Sequence, residues 1–380
     1  MINNEVIFYD STSSYDHISI KNKALGASEY QFYALIDNLQ KNNSSWQITV
    51  YHLGHYVKND TMLINVNNNI IYKHISEFNQ NNNISKSKII IQRFSSIELI
   101  NKFKNNKIII WLHDLPNCSL FLHNRKLASY YEQHLSEFKK ILNDYYTNKN
   151  ISFVFNSYFC QTAYIDFFDK YDVRFESSRM HIIYNILYEN EFINLMSNDK
   201  ISHDKISHDN INININQLVY ASAWNKGIGK IINLFNELAI KDTNLQLILM
   251  TPGYDYHYYT TYVQKISKLK NIRVLGPIDK QSFGKIIKTS LCVLAPSYLE
   301  TFGCVFAESY YLGTPVICDK INGAIKEIID NNYIVNYDNV QQVYDKVKYL
   351  KTVRNMIDIN LDDKFKIDSN LQKWQLLLVN

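Results

Sequence analysis

The chain has 380 residues, of which 46% are hydrophobic, and its formal net charge at pH 7 is +4. This length accommodates two domains of ordinary size, and the hydrophobic fraction is sufficient for two packed cores. The 40 basic and 36 acidic side chains nearly balance. That balance argues against a nucleic-acid partner and leaves peripheral contact with an anionic membrane surface open.

The five cysteines are odd in number and show no paired metal-ligand spacing. Without a secretory signal at the N-terminus, they are predicted to be reduced thiols in a cytoplasmic compartment. No apolar stretch approaches the roughly 20 residues that span a bilayer. No Asp-x-Asp triplet occurs in the chain, so we predict neither a metal ion nor another cofactor.

The first 190 residues alternate apolar runs with helical patterns, which is the order of a parallel α/β sheet. We therefore predict a Rossmann-like domain over residues 1–190. Residues 65–86 are rich in Asn and are interpreted as a surface insertion. The predicted strands are Glu5–Tyr9, Trp46–His52, Lys88–Gln92, Lys107–Leu112 and Ile151–Phe155.

A turn of small residues, Gly26 to Ser28, precedes the first helix, and Glu29 follows it. Backbone without large side chains can approach a phosphate or a sugar closely at such a turn. One glycine is weak evidence, and a plain tight turn explains the pattern equally well.

His113 and Asp114 follow the predicted strand that ends at Leu112. A histidine at the carboxyl edge of a sheet can donate a hydrogen bond to a sugar or phosphate oxygen, and a neighbouring aspartate can orient it. The alternative is a histidine that only packs and forms local hydrogen bonds.

The composition changes in residues 191–216. A tandem repeat, Lys200 to Asp204 and then Lys205 to Asp209, is followed by alternating Asn and Ile. This pattern is typical of a low-complexity interdomain segment. Its two histidines, His203 and His208, lie five residues apart in a polar tract. This arrangement is poor for a metal site, so we interpret both side chains as solvated.

Residues 217–364 are predicted to form a second Rossmann-like domain. Its first strand, Gln217–Ala221, leads through Lys226 and Gly227 into an amphipathic helix. A lysine at a strand-to-helix turn, beside backbone N–H groups, suits a diphosphate. The alternative is a solvated lysine, although its charge would oppose the helix dipole there.

The segment Leu291–Asp319 has the pattern strand, loop, helix, strand. The helix is predicted to start near Phe302 or Gly303 and to run to Leu312, with Gly313 in a left-handed cap. The loop before this helix opens at the carboxyl edge of the sheet, where open α/β sheets bind ligands.

Glu300 lies in this loop and Glu308 in the helix, with seven residues between them. Gly303 keeps backbone N–H groups accessible between the two carboxylates, where the helix dipole favours anions. The arrangement suits a ligand with both vicinal hydroxyls and phosphates. Taken alone, Glu300 would be a solvated loop charge and Glu308 a partner of the helix dipole. The interpretation as a ligand site therefore depends on the whole string of residues from Glu300 to Val316.

The string from Glu300 to Val316 resembles the signature of family 4 glycosyltransferases. That signature has two glutamates separated by seven residues, Phe-Gly after the first and Gly-Thr-Pro-Val after the second. The resemblance implies a GT-B fold, in which two Rossmann-like domains with parallel sheets face across a cleft. It also implies that the final helix, residues 365–380, packs back on the first domain.

The resemblance further assigns roles to residues. Glu300, as a catalytic residue, and the backbone of Phe302, Gly303 and Cys304 would hold the donor sugar. Glu308 would accept hydrogen bonds from the ribose of the nucleotide. Lys226 matches the Lys-Gly of the family's phosphate site.

Two further segments match the family in part. The family often has Gly-Gly-x-x-Glu where this chain has Gly26, Ala27, Ser28 and Glu29, which implies an acceptor or phosphate loop. His113 matches a position near the donor sugar and is the second catalytic candidate. Where the family has Gly-Arg, this chain has Tyr220, Ala221 and Ser222, so Ser222 stands in the phosphate site without that arginine.

The resemblance thus implies a retaining hexosyltransferase, and the absence of an Asp-x-Asp triplet predicts that it is metal-independent. It would move a sugar from a nucleotide sugar, with a UDP-sugar favoured, to a glycan, lipid-linked or protein acceptor. Two alternatives stay open: an inactive GT-B subunit that only binds a nucleotide, which the absent arginine suggests, and a sugar-nucleotide epimerase of the same fold.

Overall fold

A computed structural model describes most of the chain. The described residues are 5–11, 27–42, 46–53, 64–66, 70–80, 87–93, 97–116, 146–170, 172–174, 176–187, 212–251, 269–297, 300–320 and 323–379, with isolated residues at 143, 189, 192, 195, 260–262, 264 and 266. Clustering of contacts divides the described chain into two compact units. The first comprises residues up to 186 together with 368–379, and the second comprises residues 187–367.

The first unit is built on an eight-stranded sheet. Its strands are β1 (Glu5–Asp10), β2 (Gln47–His52), β3 (Ile64–Val66), β4 (Ile70–His74), β5 (Lys88–Gln92), β6 (Lys107–Leu112), β7 (Ile151–Phe155) and β8 (Met180–Ile182). The order is β3-β4-β2-β1-β5-β6-β7-β8, and all neighbours are parallel except β3 and β4. The strands near the centre are nearly continuous apolar runs, because a parallel sheet is covered on both faces.

Helices cover this sheet. The described ones are α1 (Ala27–Asn42), α2 (Ile75–Gln80), α3 (Ile97–Lys102) and α4 (Tyr158–Asp169). Helix α1 buries Phe32, Leu35 and Leu39, which recur at helical spacing. Helix α4 begins after Ser157, whose side chain accepts a hydrogen bond from the backbone N–H of Cys160 at 2.9 Å.

The prediction that residues 65–86 form a surface insertion is wrong for their described part. Strand β4 pairs in parallel with β2, from Ile48 opposite Ile70 to His52 opposite His74, so it belongs to the sheet. Its side chains at Ile70 and Tyr72 are buried. The strand itself reads IIYKH, and Ile and Tyr favour strands, so the Asn-rich residues around it concealed a local strand signal.

The second unit is built on a six-stranded parallel sheet. Its strands are β9 (Asn214–Ala221), β10 (Gln246–Met250), β11 (Ile272–Leu275), β12 (Ser290–Ala295), β13 (Val316–Asp319) and β14 (Ile334–Val335). The order is β11-β10-β9-β12-β13-β14, which is the doubly wound order of dinucleotide-binding folds. The structure therefore confirms the prediction of two Rossmann-like α/β units.

The described helices of the second unit are α5 (Ile228–Lys241), α6 (Lys280–Lys288), α7 (Cys304–Tyr311), α8 (Ile325–Ile328) and α9 (Val340–Val353). Helix α7 lies within the predicted bounds. It ends before Gly313, whose φ of 75° confirms the predicted left-handed position. The two strands and the helix of this segment form as predicted.

The last helix, α10 (Ile367–Val379), clusters with the first unit from Asp368 onward. The Trp374 ring packs against the Trp111 ring with their centroids 4.7 Å apart. The Asn370 side chain accepts a hydrogen bond from the backbone N–H of Tyr184 at 3.0 Å. These contacts join the C-terminal segment to strands formed much earlier in the chain.

The cysteines and the possible membrane-spanning helices can be examined in the described part of the chain. Within the described part of the chain, Cys160, Cys292, Cys304 and Cys318 form no disulfide bond. Among the same residues, no helix combines the length and the apolar character needed to cross a bilayer. The repeat at 200–209 lies outside the described residues.

Candidate functional site

The order of strands in the second unit reverses between β9 and β12. In an open α/β sheet, ligands bind beyond the carboxyl ends of the strands at such a reversal. The loop after β9 carries Ser222 and Lys226, and the loop after β12 carries Glu300. The fold therefore brings candidate donor residues from two separate segments to one edge of the sheet.

Lys226 and Glu300 form an ion pair at this edge. The Lys226 Nζ lies 3.0 Å from Oε1 and 2.9 Å from Oε2 of Glu300. The Glu300 side chain is only 8% exposed, whereas that of Lys226 is 45% exposed. Ala324 donates its backbone N–H to the Glu300 carbonyl at 3.0 Å, which fixes the loop. The carboxylate is thus held in place, while the ammonium faces solvent in part and can meet an anionic ligand.

Glycines in the left-handed region precede both neighbouring helices. Gly227 has a φ of 94° before α5, and Gly303 has a φ of 89° before α7. A Cβ on Gly303 would lie 2.6 Å from Cδ2 of Phe306, which requires a shift. Neither glycine supplies a capping side chain, so the two helix starts present backbone to a ligand.

The two residues next to Gly303, Phe302 and Cys304, differ in burial. Phe302 is 1% exposed, and its ring centroid lies 6.0 Å from that of Phe365, so its side chain belongs to the core of the second unit. Cys304 is the first residue of α7 and is half-buried. Any role of Phe302 in holding a donor sugar stays a prediction.

Glu308 lies in the second turn of α7 and pairs with a lysine that the sequence analysis did not identify. The Lys280 Nζ lies 2.9 Å from Oε1 and 3.0 Å from Oε2 of Glu308. The Glu308 side chain is 1% exposed. A carboxylate buried this deeply requires a compensating cation, and Lys280 at the start of α6 supplies it.

A third lysine of the same edge, Lys230, lies between two aspartates. The Lys230 Nζ is 2.8 Å from Oδ2 of Asp319, at the end of β13, and 2.9 Å from Oδ1 of Asp338. Burial lowers the pKa of Lys230, but the hydrogen bonds to both aspartates outweigh it and the net shift is upward. Lys230 therefore remains cationic and joins α5 to the end of β13 and to the loop that contains Asp338.

The candidate residues of the first unit also meet where the strand order reverses, between β1 and β5. The Arg93 guanidinium donates from Nε to Oδ2 of Asp114 at 2.7 Å and from Nη2 to Oγ of Ser28 at 2.7 Å. The Ser28 hydroxyl donates to Oε2 of Glu29 at 3.2 Å. Arg93 has a φ of 66°, which is rare for a residue with a side chain. Arg93 therefore links the start of α1 to the segment that follows β6 and contains Asp114.

His113 lies beside this cluster and is 5% exposed. Its ring centroid is 4.6 Å from that of Trp111. Burial lowers its pKa to about 3; the Asp114 charge opposes this shift and the Arg93 charge adds to it. At neutral pH the imidazole is therefore uncharged and can exchange hydrogen bonds with a ligand without supplying a positive charge.

The predicted residues differ in how the structure places them. Lys226 and Glu300 are in direct contact, and Ser222 lies at the end of β9 in the same loop as Lys226. Ala27 is the first residue of α1 and is exposed, and Gly26 lies outside the described residues. The functional roles given to all of these residues stay predictions.

Sequence reasoning missed Lys280, Lys230, Asp319 and Arg93. A signal existed for Lys280, because it opens a helix right after the capping residue Asp279, at the same kind of strand-to-helix turn as Lys226. Lys230 is one of many lysines on amphipathic helices and carried no signal. Arg93 follows a buried strand directly, and the arginine at that end could have been noted.

Sequence comparison finds similar proteins for a part of the chain that includes most of the second unit. Residues 198–363 match the profile of the family described as "Glycosyl transferases group 1". An uncharacterized glycosyltransferase of Methanocaldococcus jannaschii is 25% identical over 176 residues, which are 44% of this chain and 45% of that protein. The match thus spans less than half of the relative's length. Residues 198–363 are thus similar to the glycosyl transferases group 1 family, in line with the resemblance seen in the sequence, and membership of family 4 stays a prediction.

Structural comparison covers the whole chain. Anabaena HepE in complex with UDP-glucose has a TM-score of 0.64 at 13% identity, with 99% of each chain covered. Sucrose-phosphate synthase from Thermosynechococcus elongatus has a TM-score of 0.68 at 14% identity, with 98% of each chain covered. At these identities the likeness shows the fold alone, and that fold is GT-B.

Proposed function

We propose that this chain, through its glycosyl transferases group 1 domain, moves a sugar from a nucleotide sugar to a hydroxyl group of an acceptor. The observation that carries the proposal is the Lys226–Glu300 pair, which lies at the strand-order reversal beside the glycine start of α7. A UDP-sugar is the favoured donor, because a protein of the same fold is known with UDP-glucose bound. The transfer is proposed to retain the anomeric configuration, as in family 4.

Each residue of the edge suits one part of such a donor. Lys226 and the backbone at the starts of α5 and α7 face the diphosphate, where positive charge and N–H groups favour an anion. Glu300 accepts hydrogen bonds from sugar hydroxyls, and Glu308 from the ribose. His113 of the first unit, uncharged at neutral pH, is proposed as a hydrogen-bond partner of a sugar hydroxyl.

In the proposed step, the acceptor oxygen forms a bond to the anomeric carbon as the bond from that carbon to the diphosphate oxygen breaks. Both events occur on the same face of the sugar, and the acceptor proton passes to the departing phosphate oxygen. Lys226 and the helix starts stabilise the negative charge that develops on this oxygen. We propose that these groups suffice without a metal ion.

The acceptor is assigned to the first unit, near the turn that contains Ala27, Ser28 and Glu29. The Arg93 network holds Ser28 and Glu29 together at the start of α1. A glycan, a lipid-linked molecule or a protein would each offer the required hydroxyl. A lipid-linked acceptor would bring the protein to a membrane surface.

A thermal-shift panel with UDP, GDP, ADP and TDP, each with and without magnesium, tests the donor site. A ligand that binds the folded state raises its apparent stability. We expect UDP to raise the melting temperature equally with magnesium and with a chelator. If none of the four nucleotides changes the melting temperature, the proposal fails.

The second candidate is a subunit that binds a nucleotide without turnover, which the segment Tyr220–Ser222 favours by lacking the arginine of the family pattern. Release of UDP from a UDP-sugar, measured with and without added acceptors, separates the two. Binding without release would favour the inactive subunit. Recovery of an epimerised donor sugar would instead indicate the epimerase.

A further inference from the structure

The ion pair of Lys280 and Glu308 joins the first residue of α6 to the second turn of α7. Both Glu308 oxygens lie within 3.0 Å of the Lys280 Nζ. The same ammonium lies 4.6 Å from the ring centre of Phe283, one turn further along α6. Lys280 is 31% exposed and Glu308 is 1% exposed. The lysine is therefore held on two sides while it contacts both oxygens of a buried carboxylate.

The position of Lys280 is unfavourable for its own helix. The start of a helix carries partial positive charge, so an acidic residue would stabilise α6 better than a lysine. Asp279 already caps this helix, because its side chain accepts the backbone N–H of Ser282 at 2.8 Å. The lysine is explained by its effect on Glu308 and not by the stability of α6.

We propose that Lys280 is a positioning residue that makes the nucleotide site selective for ribonucleotides over 2′-deoxyribonucleotides. This inference rests on the proposed function, in which Glu308 accepts hydrogen bonds from the ribose. By contacting both oxygens, Lys280 fixes the plane of the Glu308 carboxylate. A carboxylate with a fixed plane can meet two vicinal hydroxyls at once, because their spacing matches that of its two oxygens.

The selectivity follows from the second hydroxyl. A 2′-deoxyribonucleotide lacks one of the two donors and loses one charge-assisted hydrogen bond. If Lys280 is removed, Glu308 is no longer held in one orientation, and the gain from the 2′-hydroxyl shrinks. Removal of Lys280 should therefore reduce the preference for ribose as well as the affinity itself.

The test compares the dissociation constants of UDP and 2′-deoxy-UDP by calorimetry. We expect the wild-type protein to bind UDP about tenfold more tightly than 2′-deoxy-UDP, as a lost hydrogen bond to a charged group predicts. In Lys280→Met this ratio should fall to below about threefold. Lys285→Met is the matched control, since Lys285 lies on the same helix and is exposed, and its ratio should equal that of the wild type.

Lys280→Gln provides a second variant, because glutamine is polar and can still donate one hydrogen bond to the buried carboxylate. Melting curves identify which variants are folded before binding is measured. An equal loss of affinity for UDP and 2′-deoxy-UDP, with an unchanged ratio, would overturn the inference and leave Lys280 as a support for packing. Failure of the wild-type protein to bind any nucleoside diphosphate would instead reject the proposed function, and the inference with it.

Discussion

At the scale of single residues, both glutamates of the Glu300–Glu308 string are held by lysines from other segments. Lys226 follows β9 and Lys280 follows β11, so each pair joins distant parts of the chain. The two pairs differ in exposure, because the Lys226 side chain is 45% exposed and that of Lys280 is 31% exposed. The more exposed lysine is the one suited to share its charge with an arriving diphosphate.

Lys226→Ala is predicted to weaken UDP binding at least about tenfold, since a charge-assisted contact is typically worth about 1.5–3 kcal/mol. The affinity for uridine, which has no phosphate, should change little. Calorimetric titration of both ligands checks this difference. Lys241→Ala, in the last turn of helix α5 that follows Lys226, is the control and should bind both ligands like the wild type. An unchanged UDP affinity in Lys226→Ala would contradict the assigned role.

His113 predicts a dependence of folding stability on pH. Its pKa in the folded protein is about 3, against an ordinary value of 6.5, because of burial. Between these values the unfolded chain binds a proton that the folded protein does not. Stability should therefore decrease as the pH falls from about 6.5 towards 3, by up to about 1.4 kcal/mol per pH unit from this group.

Urea unfolding of the wild type and His113→Gln at several pH values between 6 and 4 measures this contribution. The variant lacks the buried imidazole, so its free energy of unfolding should fall less steeply with decreasing pH. Other groups that titrate in this range contribute to both proteins and cancel in the difference. Identical slopes would show that His113 is accessible to protons in the folded state.

At the scale of elements, the start of α7 depends on a backbone conformation that only glycine adopts easily. Gly303 has a φ of 89°, and its position ends the loop that carries Glu300. The strand-order reversal brings this loop to the edge of the sheet, and the glycine turns the chain into the helix. The position of Glu308 relative to Glu300 is set by this turn.

Gly303→Ala is predicted to lower the free energy of unfolding by about 1–3 kcal/mol, because of the left-handed φ and the contact of its Cβ with Phe306. UDP affinity should fall with it, since the helix start must shift. Gly276→Ala is the control: a Cβ there meets no atom within 4 Å. Chemical denaturation and UDP titration of both variants check the prediction, and equal behaviour would refute it.

At the scale of the whole molecule, the chain crosses from the second unit to the first at its end. Residues from Asp368 onward cluster with strands formed before residue 186. Trp374 is fully buried there, and Lys107 donates from Nζ to the Leu377 carbonyl at 2.7 Å. The C-terminal helix is therefore part of the first unit's core and not an appendage of the second.

Trp374→Ala is predicted to destabilise the first unit by about 3–5 kcal/mol, as truncation of a large buried side chain does. The affinity for UDP should stay unchanged at temperatures where the protein is folded, because no described contact of Trp374 involves Lys226, Glu300 or Glu308. Leu376→Ala on the same helix is the control, since Leu376 is 64% exposed. Loss of UDP affinity in folded Trp374→Ala would contradict the prediction that Trp374 stabilises the first unit without affecting nucleotide binding.

The sequence by itself determined the class of fold and the organising segment. Apolar runs of strand length alternate with amphipathic helices, and this periodicity depends on local spacing alone. Gly313 and Pro315 end α7 through their own backbone preferences, so the strand, loop, helix and strand of Leu291–Asp319 were predictable in detail. The Glu300–Glu308 string was visible for the same reason, since its residues are close in sequence.

Only the tertiary structure decided which side chains meet. Lys226 with Glu300, Lys280 with Glu308, Lys230 with Asp319, and Arg93 with Ser28 are pairs separated by 74, 28, 89 and 65 residues. The place of strand β4 in the sheet, parallel to β2, is likewise decided by pairing with another part of the chain. Ion pairs and strand pairs form between residues that are distant in sequence. A local sequence pattern therefore does not predict which of these residues the strand order brings into contact.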